Sequence, residues 1–200
     1  MWNVTVYNTM KKVSKIILGA VLGIFLMSFS TTNLGTYSSA DSFDYRSIGN
    51  YAFTYNEKLS YRVHYGFINA ANIKMQVGSK PLTVNGRKTY YIKAEGKTLS
   101  TFDWMFKVRD KFETYLDQDA LIPQKFIKAV QEDNYKDHDL VYFKHDKKSL
   151  YSSKVKGNMK MPQYTQDIIS ALYYARNLDF ASAKIGQEYP LNIYLDKEIY

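Results

Sequence analysis

The 200-residue chain contains no cysteine, and that absence excludes several things at once. No disulfide can staple the fold, and no thiol can serve as nucleophile or metal ligand. A bacterial lipobox is excluded as well, because its lipid attaches through a cysteine. Histidine is scarce, with only His64, His138 and His145. His138 and His145 bracket an expected strand at odd spacing, so they face opposite sides of it and cannot share a metal. There is no G-x-S-x-G nucleophile elbow. Asp133, Asp137 and Asp139 lack the glycine and terminal glutamate of a calcium loop and read as a polar turn. Asp110 and Glu113 lie on opposite faces of one strand and do not converge as glycosidase carboxylates must. No metal, cofactor or catalytic residue is therefore expected. Arg109 and Asp110 read as a cross-strand charge pair, and Asp110, Asp167 and Arg176 as structural charges.

Long apolar runs are also missing. The stretch Ile16–Phe29 is uncharged but shorter than the roughly 20 apolar residues a spanning helix needs. Lys11, Lys12 and Lys15 precede it and small residues follow, the order of an export signal. Ser38-Ser39-Ala40 fits the cleavage site, with Ser28-Phe29-Ser30 as an alternative, and Met10 is a more natural start than Met1. Residues 1–40 are thus read as signal peptide and N-terminal extension, and 41–200 as one domain. Membrane contact is expected only through the signal before cleavage, and the destination is the periplasm. A retained anchor is the competing reading. The formal charge is +8, but those three lysines are unopposed, which leaves +5 on the remainder. Its charges are interspersed: Lys144, Lys147 and Lys148 alternate with His145 and Asp146. A nucleic-acid partner would call for a basic stripe with stacking aromatics, so none is expected.

What the chain has in quantity is Tyr (19) and Phe (11), residues suited to pleated, half-buried surfaces. Leu59, Tyr61, Val63 and Tyr65 alternate with polar residues, and Gly66 suggests a bulge or bend. Ile73, Met75 and Val77 form the apolar side of a second strand. Asn85-Gly86 is a strong hairpin signal leading into Tyr90, Ile92 and Ala94. Further strands are expected near 108–116, 124–131, 137–145, 150–155 and 189–195. The expectation is a mainly β, antiparallel meander that forms a curved sheet or partly open barrel.

One helix interrupts the meander. Gln166–Arg176 is amphipathic, with Thr165 as the expected N-cap and Asp167 in the first turn. Ile168, Ile169, Leu172 and Ala175 share one face, with Tyr173 at its edge. Arg176 falls in the same sector and needs a partner. Asp179 is favoured on locality, with Asp110 or Asp103 as a longer-range tie. After Gly186 a strand ends in an Asp196-Lys197 turn, and a last strand begins at Glu198. A strand cut so short predicts a further hairpin beyond Tyr200.

Three runs carry a family resemblance: Asn56–Gly66, Phe106–Glu113, and Gln166–Arg176 continuing to Phe180. Together and in this order they resemble the domain of unknown function 3108 family of exported bacterial proteins, over most of residues 53–200. The helix wording is most similar to members from Bacteroidota-like bacteria. Ala70-Ala71 stands where family members often have Ala-Gly. The resemblance implies a periplasmic β-rich domain, further strands after Tyr200, and no established activity.

An aromatic antiparallel sheet curving around one helix also resembles, in outline, periplasmic carriers of lipids. On that reading Trp104, Phe106, Leu172 and Tyr173 line an apolar surface for a lipid or other hydrophobic ligand. The alternative is that they simply fill the core. Two other readings stay open: an envelope assembly factor that binds another protein through a sheet edge, and a hydrolase.

Overall fold

The computed structural model describes residues 44–65 and 68–200, so the expected export signal and Gly66 lie outside the described residues. Nine strands form one antiparallel sheet: β1 (Lys58–Tyr65), β2 (Ile68–Val77), β3 (Leu82–Val84), β4 (Arg87–Thr98), β5 (Arg109–Asp117), β6 (Pro123–Glu132), β7 (Tyr135–Lys144), β8 (Ser149–Ser152) and β9 (Gly157–Lys160). The order is β1-β2-β4-β5-β6-β7-β8-β9, with β3 folded back on β4. The sheet is open rather than closed into a barrel. Asn85 and Gly86, both at positive φ, close the β3–β4 hairpin as the Asn-Gly pair predicts.

The register sorts the side chains into two faces. On the inner face Tyr90, Ile92, Ala94 and Gly96 of β4 stand opposite Leu116, Thr114, Phe112 and Asp110 of β5. The row continues through Phe126 and Lys128 of β6 to Val141 and Asp139 of β7 and Ser152 of β8. The outer face is a Tyr, Lys and Glu ladder: Lys93–Glu95 and Lys111–Glu113 pair at 3.1 and 3.0 Å, and the rings of Tyr91 and Tyr115 lie 5.3 Å apart. One face faces water and the other needs a cover.

That cover is α1 (Ile168–Ala175), with the extended segment 44–57 and a C-terminal hairpin of β10 (Tyr194–Leu195) and β11 (Glu198–Ile199). Val77, Ile92, Leu116, Phe126, Val141, Phe143 and Leu150 meet Phe53, Ile169, Tyr173 and Tyr194 in one core. Each such side chain contributes about 1.5–3 kcal/mol on full burial. Phe53 and Tyr173 pack edge to face at 4.8 Å. Segment 44–57 is held by the Arg46 Nε–H bond to the Ala120 carbonyl at 2.9 Å and by the Arg46 guanidinium over the Tyr164 and Tyr174 rings.

Several local expectations are corrected. The helix cap is Asp167, not Thr165: its Oδ1 accepts from the Ile169 and Ser170 amides at 2.8 and 2.9 Å, and the Ser170 hydroxyl accepts from the Asp167 amide. Residue 166 is already committed elsewhere, in a parallel bridge to Ile193. Tyr173 is the centre of the buried face rather than its edge, while Ile168 and Leu172 are half-buried. The Gly157–Lys160 strand was unexpected, and the strand expected over 189–195 shrinks to Tyr194–Leu195. Asp137 and Asp139 are not turn residues; both lie in β7 on the inner face.

Arg176 pairs with neither Asp179 nor Asp110 nor Asp103. It makes a two-pronged bond to Glu57, at 2.7 Å on each oxygen, and donates to the Ala52 carbonyl at 2.8 Å. Tertiary packing brings the strand entry to the helix end, a partner 119 residues away that no local rule suggests. Fork-shaped pairing suits arginine specifically. We expect Arg176→Met and Glu57→Gln each to cost about 1–2 kcal/mol, with the double variant costing less than the sum of the two. Additive losses in urea melts would show that the pair is not coupled.

Candidate functional site

The helix and the C-terminal hairpin cover only part of the inner face. Further along the same strands the floor consists of Ile73 on β2, its cross-strand partner Gly96 on β4, and Phe112 on β5, which pairs with Ala94 two residues before Gly96. Tyr61 on β1, opposite Ile73, is 48% exposed although it belongs to the apolar set of its strand. Ile73 and Phe112 are only partly buried. A side chain placed at Gly96 would meet no atom within 4 Å. A glycine in a strand interior costs order, and one facing open space on an otherwise apolar face leaves room for another molecule.

Two charged side chains edge this floor. Lys128, opposite Phe112, is buried and tied to Asp137 at 3.1 Å and to Asp196 in the β10–β11 turn. Lys154 joins the same two aspartates. Asp110, opposite Gly96, accepts one hydrogen bond through Oδ1, from the Gln131 amide at 3.1 Å. Burial pushes its carboxyl up to about 6, aided by Glu132 and opposed by the Gln131 amide and Lys128.

The groups expected to form a charge cluster are scattered. Arg109 turns to Asp103 and to the Thr98 and Val108 carbonyls, so its expected pairing with Asp110 is absent. Asp167 is fully buried beneath α1, where Thr114 donates to it at 2.6 Å, and burial pushes it up to about 6. Thr114 lies four residues from Asp110 along β5, roughly 13 Å at strand rise, so the two carboxyls do not converge. Asp179 binds Ser182 and the Ala181 amide in an exposed turn.

The expected apolar lining is corrected in the same way. Trp104 is 82% exposed, with its indole N–H bonded to the Thr101 carbonyl at 2.9 Å: the 3-10 turn Ser100–Phe102 carries it outward. Phe106 is buried, Tyr173 belongs wholly to the core, and Leu172 packs against that core. The residues that leave the face open are Tyr61, Ile73, Gly96 and Phe112. Their signal was present, since Tyr61 shares the apolar phase of Leu59 and Val63, and Gly96 interrupts a strand.

The histidines are placed apart. His138 is exposed, while His145 is buried with Nε2 2.8 Å from the Pro123 carbonyl and is driven down to about 4 by burial. No group of three metal-ligating side chains converges among the described residues. A depression of about 690 Å³ lies along Asn50–Glu57 and Tyr90, but it follows one extended segment and brings no reactive groups together.

Comparison with known proteins adds the family. The family model described as "Protein of unknown function (DUF3108)" matches residues 60–200. No curated protein and no solved structure matches the chain. With more than two thirds of its length matched in this way, the chain belongs to the DUF3108 family of proteins of unknown function.

Proposed function

We propose that this chain is an exported, non-catalytic binding module that holds an elongated apolar ligand on the uncovered part of its inner sheet face. The observation that supports this reading is Gly96: a side-chain-free position near the C-terminal end of β4, facing open space, opposite Ile73 on β2 and diagonal to Phe112 on β5, with Tyr61 beyond. A core-facing strand position left empty is otherwise a loss of packing with no return. A hydrolase needs at least two titratable groups converging, and Asp110, Asp167 and Arg176 lie apart with separate partners.

Gly96→Trp tests the reading. The first side-chain atom there meets nothing within 4 Å, so the variant is expected to fold, as its thermal unfolding midpoint will show. The wild type should enhance the fluorescence of the apolar probe N-phenyl-1-naphthylamine, and the variant should lose at least ten-fold in probe affinity. Equal probe binding by the two proteins would remove the reading. Export is tested separately, by locating the full chain in periplasmic or cytoplasmic fractions of its host.

A further inference from the structure

The open face is not uniformly apolar, and its one carboxylate has an unusual position. Among the described residues Asp110 Oδ1 has a single hydrogen-bond donor and Oδ2 has none. Its cross-strand neighbour is Gly96, beside which an added side chain meets nothing. Asp167, the other carboxyl held up by burial, is compensated by two helix amides and Thr114, whereas Asp110 has no such structural return. Two charged groups act on Asp110, Lys128 and Glu132, both from β6. Lys128 is already held by Asp137 of β7 and by Asp196 of the β10–β11 turn, and Lys154, from the turn after β8, joins the same two aspartates.

We propose that Asp110 is the polar anchor of this face and that its occupant is a long-chain amphiphile with a cationic amine head, the chain lying over Gly96, Ile73 and Phe112 toward Tyr61. The inference rests on the binding reading above and gives it a ligand class. An ammonium N–H group reaching Oδ2 forms a charge-assisted bond on the edge of an apolar surface, where such bonds are strong. An anionic head would meet a carboxylate with no uncommitted cation beside it. A neutral head gains only a single hydrogen bond.

The test uses the full chain with decylamine, decanol and decanoate, each below its aggregation threshold, displacing N-phenyl-1-naphthylamine at pH 7.5 and pH 5. Decylamine is expected to bind about ten-fold more tightly than decanoate at pH 7.5. That advantage should shrink about ten-fold at pH 5, where Asp110 carries its proton. Asp110→Asn keeps an oxygen for the Gln131 amide and should erase the preference for decylamine over decanol. If decanol and decanoate bind as well as decylamine, the amine assignment is overturned while the binding reading stands. If none of the three binds, or if Gly96→Trp binds all three as the wild type does, both fail.

Discussion

Asp139→Ala is expected to lower stability by about 4 kcal/mol, the largest loss of any single substitution considered for this chain. Asp139 is 2% exposed and accepts from the Ser152 hydroxyl at 2.8 and 3.0 Å, the Ser153 hydroxyl and Lys154 amide at 3.1 Å, and the Tyr194 hydroxyl at 2.9 Å. Alanine leaves all of these donors without that acceptor in a dry place, which costs more than the bonds themselves contribute. The loss is directional in the structure. Tyr194 carries the C-terminal hairpin, and its hydroxyl bond to Asp139 docks that hairpin on β7, beside the Lys128–Asp196 and Lys154–Asp196 pairs. For a domain of this size the midpoint of thermal unfolding should fall by roughly 10 °C. Amide exchange in Tyr194–Ile199 should accelerate more than in β4 or β5. Tyr194→Phe removes one donor and should cost about 1 kcal/mol. A fall below 1 kcal/mol for Asp139→Ala would mean the network does not hold the hairpin.

Asp167→Ala should cost about 3 kcal/mol, because the carboxylate both caps α1 and receives the Thr114 bond that ties the helix to β5. Asp167→Asn separates those roles from charge. Asparagine caps as well as aspartate and its amide can donate to the Thr114 hydroxyl, so the loss near pH 5 should be under 1 kcal/mol. The pH dependence gives the sharper result. Folded Asp167 takes its proton near pH 6, whereas the unfolded chain takes it near the ordinary value of 3.8. Between these values the folded state holds more protons, so raising the pH from about 4 to about 6 destabilises the fold. Below that window the full contribution is present, and above it the contribution is gone. Asp110 adds a second decline of the same sign. Asp117, Asp137 and Asp196 act oppositely: interactions with Arg87, Lys128 and Lys154 outweigh burial and hold them below the usual range, so their contribution is lost as the pH falls through their folded values. His145 opposes the decline as well, because burial drives its folded value down to about 4 while the unfolded chain keeps that proton up to its ordinary value of 6.5, so the Asp167 contribution is read from the difference between the wild type and Asp167→Asn. Urea unfolding from pH 4 to 7 should show a shallower decline for Asp167→Asn than for the wild type, and parallel curves would refute the assignment.

The strands were legible because their signal is local. Period-2 patterns located β1, β2, β4, β5, β6 and β7, and Asn85-Gly86 located the turn before β4. β9 escaped because Gly157 and Asn158 disfavour strands and Pro162 follows closely, although Met159 and Met161 alternate with Asn158 and Lys160; its pairing with β8 and the inward Met159 carry it. The helix cap was missed because Thr165 and Asp167 are both capping types. What decided between them is that Gln166 pairs with Asn192 and Tyr194 in extended form, so the helix cannot start earlier. Aromatic character alone places Trp104 in an apolar lining or the core, whereas the 3-10 turn before it carries it into solvent.

From composition and period the chain alone determined a cysteine-free, mainly antiparallel sheet with one amphipathic helix, and its wording identified its family. The tertiary structure alone decided which charges meet. Glu57 reaches Arg176, Asp139 reaches Tyr194 and Lys128 reaches Asp196 across 119, 55 and 68 residues. It also decided where the inner face is left uncovered. Both follow from the same physics: periodicity says which side chains share a face, but contacts across the face depend on register and on where the covering elements stop.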